Sequence, residues 1–238
     1  PEVGSFDAYI TSMVKWAHSA KEMGFRAAKL ETTFSGPYAN MGIREDDEKM
    51  TEVIRAVRNA VGPDFTLMVD VQYAFDSVDR AIKTINTWQE FDLFFVETPL
   101  WVDDLEGLSK LVAATPIKIA SGEWLSTRYE FADLIKYGNV GVVQPDIGRV
   151  GGLSEARNVC DMAKANNKIV VPHLWKTGIS VAAAAHLATV TPHMPFFEFL
   201  PPALCESRLR KELVVDEVTM VDGKVTIPQR PGLGIELN

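Results

Sequence analysis

Six ionisable side chains recur at nearly even spacing: Asp70, Glu97, Glu123, Asp146, His173 and Glu198. The gaps between them are 27, 26, 23, 27 and 25 residues. Each follows an apolar run of strand type: FTLMV before Asp70, LFFV before Glu97, IKIASG before Glu123, VGVVQP before Asp146, KIVVP before His173 and FF before Glu198. Such gaps match one strand plus one helix, so the ionisable residue falls at the same phase of every repeat. Parallel strands joined by helices bring their C-terminal ends to one face, and in a closed barrel residues scattered along the chain then converge on one pocket. Carboxylates gathered beside an imidazole are the materials of cation binding and proton transfer.

The elements that must position this series are written in the same pattern. Phe6, Ile10, Met13, Val14 and Ala17 form a stripe at helical spacing, predicting a helix over 6–23 that Gly24 ends. A strand follows at 25–30 (FRAAKL), then a loop at 32–44 with turn residues Gly36, Pro37, Asn40 and Gly42. That loop is long for a strand-to-helix connection, and long loops on this face are often lids or substrate walls. A helix at 45–61 stops at Gly62-Pro63. Strands at 65–70, 93–97, 117–120, 140–143, 168–172 and 196–199 then alternate with helices at 77–91, 104–114, 127–137, 152–166 and 178–190. Strict alternation means a parallel sheet with helical crossovers, an α/β fold. Gly151-Gly152 reads as a turn and helix start rather than a phosphate loop, because no GxGxxG or P-loop pattern surrounds it. The tail, 206–238, changes character, and LVVDEVTMVDGKVTI predicts a hairpin turning at Asp222-Gly223.

Seven strands are one short of a closed barrel, and the first helix has no strand before it. An open barrel would expose two unpaired edges. The expectation is that these residues are the C-terminal part of something longer. Composition narrows the class further. At 238 residues the chain can bury the core of one large α/β domain. A net charge of −8 with no Lys/Arg-rich stretch argues against nucleic acid as a partner. Cys160 and Cys205 lack metal-type spacing and read as unpaired thiols of a reducing compartment. No stretch approaches a membrane span and no signal peptide precedes Pro1, so no membrane partner and a cytoplasmic location are expected.

The segments GFRAAKLE, MVDVQ, VETPL, ASGEW, VVQPDIGRVGG, VVPHLWKTGIS, FFEFL and the C-terminal PGLGIEL resemble the enolase superfamily, and within it the mandelate racemase-like subgroup. The resemblance covers essentially the whole chain. It implies a TIM-type (β/α)7β barrel that here lacks its first strand and the N-terminal α+β cap domain. Residues 1–205 would be barrel strands two to eight, and 206–238 a segment returning toward the cap. The cap would then be supplied by another chain or be missing from this one, and a homo-oligomer is expected.

The resemblance also assigns roles. Asp70, Glu97 and Glu123 look like the family's Mg²⁺ ligands, which suits a hard cation that prefers carboxylate oxygens and leaves positions open for a carboxylate substrate. Asp146 and His173 look like the catalytic dyad, the carboxylate fixing the imidazole tautomer and raising its basicity. His18, His186 and His193, in or beside predicted helices, read as structural. Lys29 stands where the family's Lys-x-Lys motif begins, but the motif here is Lys29-Leu30-Glu31, so a glutamate replaces the second base. Lys29 would neutralise the substrate carboxylate. Glu31 and Gln72 are substrate-binding candidates, and Glu198 resembles the acid that hydrogen-bonds the developing enolate. The implied activity is abstraction of the proton α to a carboxylate through an enediolate. Dehydration of an aldonate or aldarate to a 2-keto-3-deoxy acid is the first expectation, because Glu31 occupies the place of the second base that racemisation needs. A racemase, epimerase or cycloisomerase is the alternative, and a non-catalytic or incomplete subunit is the reading from another class.

Overall fold

A computed structural model describes residues 4–39, 43–175, 177–201, 204–205 and 207–238. Asn40 and Gly42 of the expected turn, and Glu206 at the expected start of the tail, lie outside the described residues. The chain divides into two compact units, one of Pro1–Ser121 with Tyr137–Gly141, the other of Gly122–Lys136 with Val142–Asn238.

The first unit begins with α1 (Phe6–Glu22), capped where the Ser5 hydroxyl accepts the Ala8 N–H. β1 (Ala27–Glu31), α2 (Asp47–Val61), β2 (Thr66–Asp70), α3 (Val78–Ile85), β3 (Leu93–Glu97), α4 (Leu105–Ala114) and β4 (Ile119–Ser121) follow. Met50, Val53, Ile54, Val57 and Val61 of α2 are all buried, a single face at helical spacing. Residues Leu67 to Asp70 of β2 are buried in succession, as expected of a parallel strand covered on both faces. β1, β2, β3 and β4 pair in that order, all parallel. Between β2 and β3 the register shifts by one residue between Leu67 and Val69. Continued from the Leu67–Leu93 pair, the register would set Asp70 opposite Val96; after the shift Asp70 stands opposite Glu97. Because side chains alternate faces along a strand, this single irregularity decides which residue is level with Asp70.

The second unit holds α5 (Arg128–Asp133), β5 (Val142–Val143), α6 (Leu153–Ala165), β6 (Ile169–Val170), α7 (Gly178–Thr189), α8 (Arg208–Glu212), β7 (Met220–Val221) and β8 (Lys224–Val225). α5 opens on a reciprocal Thr127–Glu130 capping box. β5 and β6 are parallel, while β7 and β8 form the expected hairpin about Asp222-Gly223, both at positive φ. Leu174, Val181, Ala182, Ala184 and Val218 form a buried cluster, with Phe197, Phe199, Val225, Leu233 and Ile235 packed against it. The tail therefore lies on α7.

Several sequence expectations need correction. Residues 196–199 form no strand: Phe197 and Phe199 pack on the α7 cluster, and Glu198 ties the segment to Leu174 through its side chain instead of a ladder. The helix expected over 77–91 ends at Ile85 and tightens into a 3-10 turn over Asn86–Phe91. The helix expected over 127–137 widens into a π turn over Leu134–Gly138. β1 starts two residues later than the strand expected at 25–30 and runs one residue beyond it, to Glu31, with Lys29 at its middle. The short α8 had no periodic signature long enough to be read.

Candidate active site

In the first unit Glu31, Asp70 and Glu97 end three adjacent strands on one level: Glu31 is the register partner of Asp70, and Asp70 that of Glu97. Asp70 Oδ1 accepts the Thr98 hydroxyl at 2.7 Å and the Gln72 N–H at 2.9 Å. Gln72 and Tyr73 both occupy the left-handed region, with φ of 44° and 61°. That conformation costs an L-residue roughly 1–2 kcal/mol, and here it folds the chain back so that the Gln72 amide reaches the carboxylate before it. Thr98, also left-handed at φ 46°, does the same service from β3. Glu97 is fully buried, and its Oε2 lies 2.6 Å from Lys29 Nζ. The Glu31 carbonyl accepts the Tyr9 hydroxyl, which fastens α1 to the end of β1. Tyr73 stacks on Trp101 with ring centroids 4.6 Å apart.

In the second unit Glu123, Asp146 and His173 come together. His173 Nδ1 lies 2.8 Å from Asp146 Oδ2, and its Nε2 lies 3.0 Å from Glu123 Oε2. Asp146 is fully buried and also accepts the Gly148 N–H at 2.8 Å on its other oxygen. Each ring nitrogen of His173 thus faces a carboxylate oxygen, an acceptor on both sides. Glu198 Oε2 accepts the Leu174 N–H at 2.6 Å, holding the residue after His173. Glu123 follows Gly122, whose φ of 120° only glycine adopts readily. A Cβ there would stand 2.7 Å from Phe131 Cε1. Of the remaining histidines, His18 is exposed, while His186 and His193 bond the carbonyls of Leu233 and Cys160.

Two residues beside the site were not singled out from sequence. Thr98 could have been found as the hydroxyl directly after a strand-end glutamate. Arg149, in the PDIGRVGG segment, bonds the Glu123 carbonyl at 3.1 Å and lies over Trp124; its position depends on a turn that no periodicity announces.

Asp70 and Glu97 of the first unit are hard oxygen donors of the kind Mg²⁺ prefers, and a cation, the Lys29 ammonium, already lies against Glu97. Glu123, in the second unit, is a donor of the same kind. Among the described residues no three His, Cys, Asp or Glu side chains form a ready metal group; Glu97 is turned to Lys29 and Glu123 to His173.

Strands alternating with helices, carboxylates at strand ends and a buried Asp146 beside His173 define an α/β protein. The chain belongs to the enolase superfamily, in its mandelate racemase-like branch: the enolase C-terminal domain-like family matches residues 12–238. It is 33% identical over 220 residues to the D-galactarolactone cycloisomerase of Agrobacterium fabrum, covering 90% of this chain and 55% of that protein. It is 34% identical over 225 residues to the L-rhamnonate dehydratase of Saccharopolyspora erythraea, covering 92% and 55%. Among solved structures, the 3,6-anhydro-D-galactonate cycloisomerase from Zobellia galactanivorans superposes with a TM-score of 0.85 at 30% identity, over 97% of this chain and 61% of that one. The L-talarate dehydratase from Polaromonas sp. JS666, complexed with Mg and L-glucarate, gives 0.81 at 27% identity, over 96% and 57%. The chain thus spans about half the length of the relatives it matches.

Proposed function

We propose that the protein abstracts the proton α to a carboxylate in a Mg²⁺-dependent reaction and dehydrates an aldonate or aldarate to a 2-keto-3-deoxy acid. The observation that carries this reading is the His173 imidazole, held at Nδ1 by Asp146 and turned at Nε2 toward Glu123. Asp70, Glu97 and Glu123 would hold the cation. When bound, Mg²⁺ supplies a fixed positive charge that stabilises negative charge developing on the substrate carboxylate more than it stabilises the ground state.

The chain's own residues do the rest. Asp146 keeps the proton of the neutral ring on Nδ1, so the Nε2 lone pair is the base. His173 Nε2 takes the α-proton. The imidazolium then returns that proton to the departing β-hydroxyl, which leaves as water, and the remaining enol rearranges to the 2-keto acid. Lys29 offsets the charge of the substrate carboxylate, and Glu198 in its acid form would donate to the enolate oxygen. Glu31 and Gln72 would contact substrate. Dehydration needs the dyad on one side only, whereas racemisation needs a base on each face; Glu31 in the second-base position favours the former. The reading also includes an N-terminal cap and a homo-oligomeric assembly; the greater length of the relatives speaks for the cap alone.

Cycloisomerisation is the second reading, favoured by the names of the Agrobacterium and Zobellia proteins. A screen of aldonic acids, aldaric acids and their lactones with Mg²⁺ separates the two. The expected result is 2-keto acid formation that stops in excess chelator. Lactone consumption without a 2-keto acid would transfer the assignment to a cycloisomerase, and full turnover in chelator would remove the metal from the reading.

A further inference from the structure

We infer that Arg149 is a positioning residue that ties the two carboxylates flanking His173 into one frame; this rests on the proton-abstraction reading above. Asp146 and Glu123 reach His173 from different loops, and Arg149 is joined to both. Its backbone N–H donates to the Asp146 carbonyl at 2.9 Å, in a turn where the Val150 N–H shares that carbonyl at 2.8 Å. Its side-chain Nη1 donates to the Glu123 carbonyl at 3.1 Å. The two His173 contacts, at 2.8 Å and 3.0 Å, complete a closed circuit through Asp146, His173, Glu123 and Arg149. All four residues lie in the second unit.

The residue type matters. The guanidinium carbon lies 3.8 Å from the centroid of the Trp124 ring, so the planar cation stacks on the indole face while donating in its own plane. A lysine ammonium is a point charge without that plane and cannot reproduce both contacts. Gly151 and Gly152, at φ of 98° and 88°, let the chain leave the turn and enter α6 directly after Arg149-Val150. Trp124 itself is half exposed. The link therefore fixes the backbone from which the Glu123 carboxylate projects, relative to the backbone that carries Asp146.

A second link joins neighbouring elements and serves as the internal control. Arg128 bonds Glu155 through its Nε at 2.8 Å and its backbone N–H at 3.1 Å, tying α5 to α6. Among the contacts described, it touches neither carboxylate beside His173.

The test uses Arg149→Met, Arg149→Lys, Trp124→Leu and Glu155→Gln, read three ways: Mg²⁺ affinity by calorimetry, kcat against KM, and the downfield Nδ1 proton resonance of His173 in the metal-free protein. For Arg149→Met the Mg²⁺ dissociation constant is expected to rise about 10–100-fold, the usual effect of losing a residue that orients a ligand. kcat should fall with KM little changed, and the His173 proton signal should shift or broaden. Arg149→Lys should recover only part of each, and Glu155→Gln should match wild type in all three. Wild-type values in Arg149→Met, or equal losses in Glu155→Gln, would overturn the proposal. Should Arg149→Met fail to fold, Trp124→Leu, at an exposed position, decides on the same readouts: wild-type values overturn the proposal and shared losses support it. If the wild-type protein binds no Mg²⁺, the proposed function falls, and the His173 resonance alone decides the role of Arg149.

Discussion

His173 holds a carboxylate at each ring nitrogen, and the two contacts have different consequences when lost. Asp146 is buried and in the proposed reaction sets the tautomer, so Asp146→Asn should leave the imidazole in place but favour the wrong protonated nitrogen. Turnover and exchange of the substrate α-proton with deuterated solvent should both fall, by about 10²–10⁴-fold, the usual share of a positioned acid–base group. His173→Asn should abolish both. If that variant kept wild-type exchange by NMR, the base would lie elsewhere, with Lys29 and Glu31 the first to examine. At this scale the sequence was informative about residue types, because a strand-end phase is visible wherever an apolar run stops at a charge. It was silent about partners. That Glu97 meets Lys29 depends on the order of β1, β2 and β3, and that Thr98 and the Gln72 backbone N–H both serve Asp70 goes with left-handed backbone at Gln72, Tyr73 and Thr98, where no glycine marks the turn.

Elements translate those residues into levels and angles. The register shift between β2 and β3 is worth one residue, yet it decides whether Asp70 stands beside Val96 or Glu97. No composition signal betrays it, since Leu67, Met68 and Val69 are all ordinary strand residues. Strand and helix cores were legible from apolar periodicity, whereas their ends were not. α3 and α5 stop short because their last turns change to 3-10 and π geometry, and 196–199 stays out of any ladder because its side chains already have partners on α7. Gly122 shows how an element end controls a site residue. At φ 120° an added Cβ would meet Phe131 Cε1 at 2.7 Å and Leu134 Cδ2 at 3.2 Å, and both neighbours are fully buried. Gly152 has positive φ too, at 88°, but nothing within 4 Å of its missing Cβ. Gly122→Ala should therefore cost more than Gly152→Ala: strain of about 1–3 kcal/mol is common to both, and only the first adds a steric clash. Thermal unfolding reads the difference at about 2–4 °C per kcal/mol. Equal losses in the two variants would remove the packing argument and leave backbone strain alone.

Over the whole molecule, alternation of strands and helices was legible because each repeat carries its own apolar run, while the division into two compact units was not, since no linker or change of composition marks it. No helix among the described residues is long and apolar enough to cross a membrane. Both cysteines are free, but their surroundings differ: Cys205 is half-buried, while Cys160 packs inside α6 with Ala156, Val159 and Ala163. Burial pushes the Cys160 thiol up from 9.0 to about 11, opposed by a hydrogen bond with Thr191. A folded pKa above the unfolded one means that the native state keeps a proton which the unfolded chain releases. The contribution of this thiol to stability is thus fully present below pH 9 and is lost as pH rises through about 11. Within that window the loss is at most about 1.4 kcal/mol per pH unit. Other groups titrate there as well, so the informative quantity is the stability of wild type minus that of Cys160→Ala, measured by urea unfolding between pH 8 and pH 11. The variant leaves a cavity and will be less stable throughout, but it has no thiol to ionise on unfolding. The difference should stay level up to pH 9 and then shrink, because only the wild-type protein loses stability through this group. A difference that remained constant across the window would mean that Cys160 ionises in the native state as readily as in the unfolded one, and that the interior of α6 is open to water.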